Sequence, residues 1–331
     1  MFNVFFAGTP TFTLPVLKVL MDKTNLVAVL TASPKRQGRA MKKQNSAVFD
    51  FIEKLKDEGK LGEDVPVYTP EKLDDNFLNS CANLKCDLLI SFACGHIFPM
   101  SFVSLFRMGG INIHPSLLPK WRGAAPIPSA IYNGDFVTGV SVQTIKAKMD
   151  AGDILIQEPF TIEENENACD VLQGKVANIA ASLVEKLLDD FEVYLKNATC
   201  QDEKEATYSR KLRKEDALID WTRSALEISW QVRAYHSWPG TCTFCNGKKL
   251  NIIAAHEYKK HDISNFYKEN VGSFGKVIGL DASEGILVQT GSGILCITEL
   301  QWETKKALKW KDFSNGCPAL LTYAFSQSKN D

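Results

Sequence analysis

The sequence predicts an α/β chain in which a mostly parallel sheet with crossover helices is followed by a small β-barrel. Three observations lead there. Up to about residue 195, short apolar runs alternate with longer amphipathic stretches, the rhythm of strands joined by helical crossovers. Beyond a charged stretch near residue 200, the apolar runs are short, β-rich and punctuated by Gly and Asp, as in a small barrel. The 331 residues, 45% hydrophobic and 23% charged, suffice for two separate cores.

In chain order, residues 2–7, 26–31, 87–93 and 111–114 read as strands, and the segments between them largely as helices. Residues 31–48 lapse into a basic, Gly-containing stretch too polar to bury, which predicts a long mobile loop. Residues 168–196 place Val171, Leu172, Val176, Ile179, Leu183, Leu187 and Leu188 at helical spacing and predict one long helix closing the first domain. The expected division is therefore 1–196 for the first domain, 197–206 for a linker and 207–331 for the second. In the second, a helix is expected to about Tyr235, then strands over 250–254, 275–278, 285–289 and 294–299, in a barrel of about 100 residues.

The net charge of -1 is spread almost evenly, slightly acidic before residue 200 and slightly basic after it, so any polyanion-binding patch must be local. The first residues lack a basic leader region, and no apolar run approaches the roughly 20 residues of a membrane span. Nine cysteines without a regular framework suit a reducing compartment. A cytoplasmic protein without membrane association is expected. Cys242-Thr-Phe-Cys245 lacks a second pair or a nearby His at zinc spacing, and reads as part of a strand.

The chemistry concentrates in Gly110-Ile-Asn-Ile-His-Pro-Ser-Leu-Leu-Pro-Lys-Trp-Arg-Gly-Ala-Ala-Pro-Ile, where a short strand runs into a Pro-rich loop. Open α/β sheets bind ligands beyond such strand ends. Asn112 and His114, two apart, point to one side of the strand. Acyl transfer to an amine creates an oxyanion and an ammonium together: Asn112 offers a donor for the first, His114 a titratable group for the second. A carboxylate near the ring would orient it. Met149-Asp150-Ala-Gly-Asp153 supplies two candidates, with Gly152 permitting a close backbone approach.

Asn112-Ile-His-Pro-Ser-Leu-Leu-Pro resembles the active-site segment of the folate-dependent formyltransferases. Phe6-Ala-Gly-Thr-Pro and Lys120-Trp-Arg-Gly-Ala-Ala-Pro resemble the branch acting on methionyl-tRNA, as do Thr207-Tyr208, Lys211-Leu212, Ile219-Asp-Trp221, Arg233-Ala234 and Trp238-Pro239. The resemblance covers nearly the whole chain. It implies a Rossmann-like formyltransferase domain followed by an OB-like barrel that helps hold tRNA. It also implies transfer of a formyl group from 10-formyltetrahydrofolate, without a metal, to the amino group of methionyl initiator tRNA, by a monomer. Asn112, His114 and Asp153, the last preferred to Asp150, carry over as catalytic; Ser116, Leu117, Leu118 and Pro119 as folate contacts; and residues 89–93 as lining of the pterin pocket. Arg36, Arg39, Lys42 and Lys43 match a basic insertion expected to meet the tRNA acceptor stem, and Tyr208, Arg210, Lys211, Arg213 and Lys214 form a second basic cluster.

Two departures bear on this expectation. Pro115 stands where the methionyl-tRNA branch has Gly, and Ile145-Lys-Ala-Lys-Met149 resembles the basic segment of amino-sugar enzymes, which makes a nucleotide-linked amino sugar the alternative acceptor. A dinucleotide oxidoreductase is disfavoured because the first turn, with a single Gly, lacks G-x-G-x-x-G. A P-loop NTPase lacks its motif, and a catalytically inert tRNA-binding module does not account for Asn112, His114 and Asp153 together.

Overall fold

The structure, a computed structural model, describes residues 1–37, 42–260 and 273–328. The chain divides into two units. The first takes in residues 1–126, 137–161 and 170–209, the second 127–136, 162–169 and the chain from Arg210 onward.

In the first unit, β1 (Asn3–Gly8), β2 (Asn25–Leu30), β3 (Val67–Tyr68), β4 (Leu88–Phe92), β5 (Gly110–His114), β6 (Val137–Thr144) and β7 (Ile154–Thr161) form one sheet in the order β7-β6-β5-β4-β1-β2-β3. The five strands from β5 to β3 run parallel, and β6 and β7 add antiparallel. Sandwiched strands need apolar side chains on both faces, and Phe5 and Phe6 are both wholly buried. On one face Phe5 meets Phe102 and Phe106 edge-on, each at 5.6 Å. Burying each such ring contributes about 1.5–3 kcal/mol. Helices α1 (Leu14–Lys23) and α3 (Ala177–Asp189) pack on each other and against strands, apart from that aromatic cluster, and so cover the opposite face. Between them in sequence, α2 (Ala47–Asp57) begins at Ser46, whose hydroxyl accepts from the Phe49 N–H.

Three expectations change. The loop over 31–48 contains a short antiparallel hairpin, Lys35–Gln37 with Lys42–Gln44. The single helix over 168–196 is interrupted by a π-turn at Leu172–Val176, which carries Gly174, and again at Asp190. Segment 197–206, expected as a linker, lies within the first unit, where Thr199 exchanges two backbone bonds with Ile154 at 2.8 and 2.9 Å.

In the second unit, α4 (Ala225–Ala234) opens with a capping box: Ser224 Oγ accepts from the Glu227 N–H and Glu227 Oε2 from the Ser224 N–H. Strands β8 (Cys242–Cys245), β9 (Lys248–Glu257), β10 (Val277–Asp281), β11 (Gly285–Gln289), β12 (Ile294–Trp302) and β13 (Phe325–Ser326) follow in the order β10-β11-β12-β9-β8-β13. The sheet curls onto itself, the Phe325 N–H donating to Gly275 O at 2.8 Å and the Val277 N–H to Tyr323 O at 3.0 Å. The interior holds Trp221, Ile228, Leu250, Ile286, Leu295 and Ile297. Cys242 and Cys245 are buried on β8, in the strand expected of them. The early segments 127–136 and 162–169 are tied to α4 and its flanks: Tyr132 stacks on Tyr235 with centroids 5.3 Å apart, Arg223 lies over the Tyr132 ring, and Arg233 donates to Glu163 O and Glu166 O. No described helix is long and apolar enough to cross a membrane.

Candidate active site

Strand β5 ends with Ile111 and Ile113 buried in the sheet and Asn112 and His114 on the other side. In the antiparallel pairing with β6, Asn112 stands opposite Gln143, so the two amides share a face. The chain then leaves β6 for a turn in which Asp150 adopts φ +51°, a conformation Asp tolerates better than most residues.

That turn aims the Asp150 carboxylate back at β5. Its Oδ1 accepts from Gln143 Nε2 at 3.0 Å and from Asn112 Nδ2 at 3.3 Å. Its Oδ2 accepts from the Gly123 N–H at 2.8 Å and lies 3.6 Å from His114 Nδ1. The other ring nitrogen of His114, Nε2, is 2.8 Å from the Trp121 carbonyl, an acceptor only, and therefore donates to it. His114 and Asp150 are both largely buried, at 5% and 11% side-chain exposure. A charge on the ring would therefore face the carboxylate with little solvent screening.

Asp153, the carboxylate expected beside the ring, is elsewhere. Its backbone N–H donates to Thr144 Oγ1, and its carboxylate accepts from Lys146 Nζ at 2.7 Å. The Lys146 ammonium, with a smaller contribution from the Cys200 thiol, holds the Asp153 carboxyl below the usual carboxylate range. Among the two aspartates of the turn, Asp150 is the one that joins Asn112 and His114.

A second layer holds this arrangement. Gln201 Nε2 donates to Gln143 Oε1, to Asp150 O and to Gly152 O at 3.1, 2.9 and 2.7 Å. With its oxygen so engaged, and accepting also from the Gly152 N–H, Gln143 presents its NH2 to Asp150. Arg122 lies buried behind, its Nε donating to Gln201 Oε1 at 3.0 Å and its Nη1 to Glu203 Oε1 at 2.9 Å. Gly152 does allow the anticipated close approach: a Cβ there would collide with the Thr144 carbonyl. Gln143 and Gln201 belong to no motif in the sequence, and Arg122 stands there only as part of Lys120-Trp-Arg-Gly-Ala-Ala-Pro. Alternation along β6 could have pointed to Gln143, but nothing local marks Gln201.

The loop after His114 is braced from within. Ser116 Oγ donates to Lys120 O at 2.6 Å, the Leu118 N–H to Ser141 Oγ at 3.1 Å, and Gln157 Nε2 to Leu118 O at 2.9 Å. Leu117 is half-buried against Gly139, which has no side chain to exclude it, and Leu118 is buried. Pro119 follows a cis peptide bond. Of residues 89–93, Leu89 belongs to the aromatic core with Phe5, whereas Ala93 is exposed at φ +50°. The first therefore packs inside the domain, and only the end of the run reaches the surface.

Of the basic insertion, Arg36, Lys42 and Lys43 lie on the hairpin arms, Lys43 exposed, while Arg39 lies outside the described residues. In the second basic cluster Arg210 is already engaged, both of its Nη atoms bonding Asp216. Tyr208 is exposed.

Comparison with known proteins identifies the family. Residues 2–186 match the formyl transferase family and residues 211–318 match the formyl transferase C-terminal domain. A methionyl-tRNA formyltransferase of Treponema denticola is 44% identical over 323 residues, 98% of this chain and 99% of that protein. One from Treponema pallidum is 39% identical over 97% of this chain and 98% of its own length. Among solved structures, an N-formyltransferase of Helicobacter canadensis crystallised with folinic acid and dTDP-3-aminofucose superposes with a TM-score of 0.62 at 18% identity, covering 90% of this chain and 99% of that one. HypX from Aquifex aeolicus, in complex with tetrahydrofolic acid, gives 0.59 at 17% identity over 95% of this chain and 47% of its own. At those identities the structures speak for the fold alone. The two matched domains and the full-length relatives place this chain in the formyl transferase family.

Proposed function

We propose that the protein transfers a formyl group from 10-formyltetrahydrofolate to the α-amino group of methionyl initiator tRNA. The observation that carries the reading is the buried cluster of Asn112, His114 and Asp150 at the end of β5. The neutral amine attacks the formyl carbon, a new C–N bond forms, and the oxygen gains negative charge. Asn112 spends one N–H on Asp150 and has a second for that oxyanion. Collapse breaks the bond between the formyl carbon and N10 of the folate; the proton lost by the amine ends on N10. His114, fixed between the Trp121 carbonyl and Asp150, stabilises the charge and assists that transfer, and Asp150 orients the ring. The backbone braced by Ser116 through Pro119 borders the folate subsite.

Arg36, Arg39, Lys42 and Lys43 meet the acceptor stem through phosphate contacts, which makes binding fall with salt. The enzyme works as a cytoplasmic monomer, a placement supported by nine free thiols. The basic segment that suggests an amino-sugar acceptor contains Lys146 and Lys148, but these ammonium groups are paired with Asp153 and Glu203. The test is formyl transfer from 10-formyltetrahydrofolate to methionyl initiator tRNA beside an amino-sugar nucleotide. Formylated methionyl-tRNA is expected; product with the sugar alone would overturn the acceptor, and no product with either would overturn the reaction.

A further inference from the structure

The second unit carries a donor set that formyl transfer does not use. His256 on β9 and Cys296 on β12 are direct cross-strand partners, and Glu284 sits in the turn between β10 and β11. The imidazole nitrogen, a carboxylate oxygen and the thiol sulfur all lie within 4.8 Å of one another. Cys296 belongs to a small cluster with Tyr258, Leu287 and Ile294, separate from the barrel core that holds its chain neighbours Leu295 and Ile297. The thiol therefore projects from the outer face of the barrel. We propose that His256, Glu284 and Cys296 form a binding site for a zinc-class divalent cation.

Three features support it. His256 Nε2 and Glu284 Oε2 are 3.4 Å apart, about the N-to-O edge of a tetrahedral zinc site with bonds of about 2.0–2.2 Å. Only the sulfur must swing inward, since its bond to zinc is about 2.3 Å. The other oxygen, Oε1, is occupied by Lys260 Nζ at 3.1 Å, while Lys260 also bonds Asp281 Oδ2 at 2.8 Å. That partner fixes the carboxylate and leaves Oε2 for the ion. Gly285 leaves the flank of the sulfur open, because a Cβ there would stand 2.9 Å from Sγ, although it would also collide with the Ile297 carbonyl. A His–Glu surface pair needs no thiol beneath it, whereas a thiolate is a favoured ligand of a borderline-soft cation. The ion replaces the thiol proton, which passes to solvent, and a fourth position stays open to water.

The test is titration of the full chain, purified with chelator, with Co2+ and then Zn2+. One equivalent of Co2+ is expected to produce a thiolate-to-cobalt charge-transfer band that Zn2+ abolishes, and saturating Zn2+ should raise Tm. Cys296→Ala should remove the band, and His256→Ala, at an exposed position that leaves packing intact, should weaken binding at least about 10-fold. Formyl transfer should be unchanged in both variants. Absence of the band in the parent protein, or its persistence in Cys296→Ala, would overturn the proposal. So would a Zn2+-induced rise in Tm equal in parent and His256→Ala.

Discussion

The two aspartates of one turn offer a matched pair of perturbations. Asp150→Asn preserves size but removes the charge 3.6 Å from His114 Nδ1. With an effective dielectric near 20, that pair interacts by about 4–5 kcal/mol once the ring is cationic. At 1.36 kcal/mol per decade, this corresponds to about 10³-fold in kcat/KM. Asp153→Asn breaks a half-exposed contact with Lys146 instead, for which a loss below about 10-fold is expected. Single-turnover formyl transfer at saturating folate isolates the chemical step, and Tm checks the fold, because Asn at 150 would set an amide against the donors of Gly123, Asn112 and Gln143 at about 1–3 kcal/mol. A variant Asp150→Asn within about 10-fold of the parent, beside a Asp153→Asn protein crippled by more, would refute the argument and return the role to Asp153.

Other outcomes follow from the same contacts. Gln201→Ala should lower kcat by about 10-fold or more with little change in the KM for tRNA, since Gln143 Oε1 and the Asp150 and Gly152 carbonyls lose the donor that fixes the turn aiming the Asp150 carboxylate; steady-state kinetics of the variant decide it. Arg122→Met should cost about 1–3 kcal/mol in denaturant unfolding, because Gln201 Oε1 loses its partner. Gly152→Ala should lower both stability and turnover, through collision with the Thr144 carbonyl, and Tm with activity will show whether both fall. Burial pushes the Cys86 thiol and the Tyr235 hydroxyl up to about 12. Their contribution to stability is complete below the ordinary thiol and phenol values and is lost as pH rises through about 12, so Tm should fall progressively above about pH 9.

The parallel strands were legible because buried strands are continuous apolar runs: β4 and β5 lie within a residue or two of the expected segments. Asn112 and His114 were legible for a local reason, their alternation on one strand. The carboxylate was not, because its aim is set by one dihedral angle, φ +51° at Asp150, to which periodicity is blind. Gln201 was invisible for a different reason. It reaches the site only because the chain returns along Ile154 through Thr199, a pairing between segments 45 residues apart in number alone. The π-turn that splits the long helix follows no hydrophobic signal either, since Val171 and Ala177, on either side of it, are both buried.

The interleaving of the two units has a consequence for any attempt to separate them. Tyr132 and Gly134 precede β6 and β7 in the chain, yet they belong with Tyr235 and Trp230, whose indole crowds the space where a Gly134 side chain would be. A fragment ending at residue 209 keeps the strands of the catalytic sheet but strips Tyr132 of its aromatic neighbour and of Arg223. The complementary fragment begins without two of its own pieces. Among the described residues, no single cut leaves both units whole.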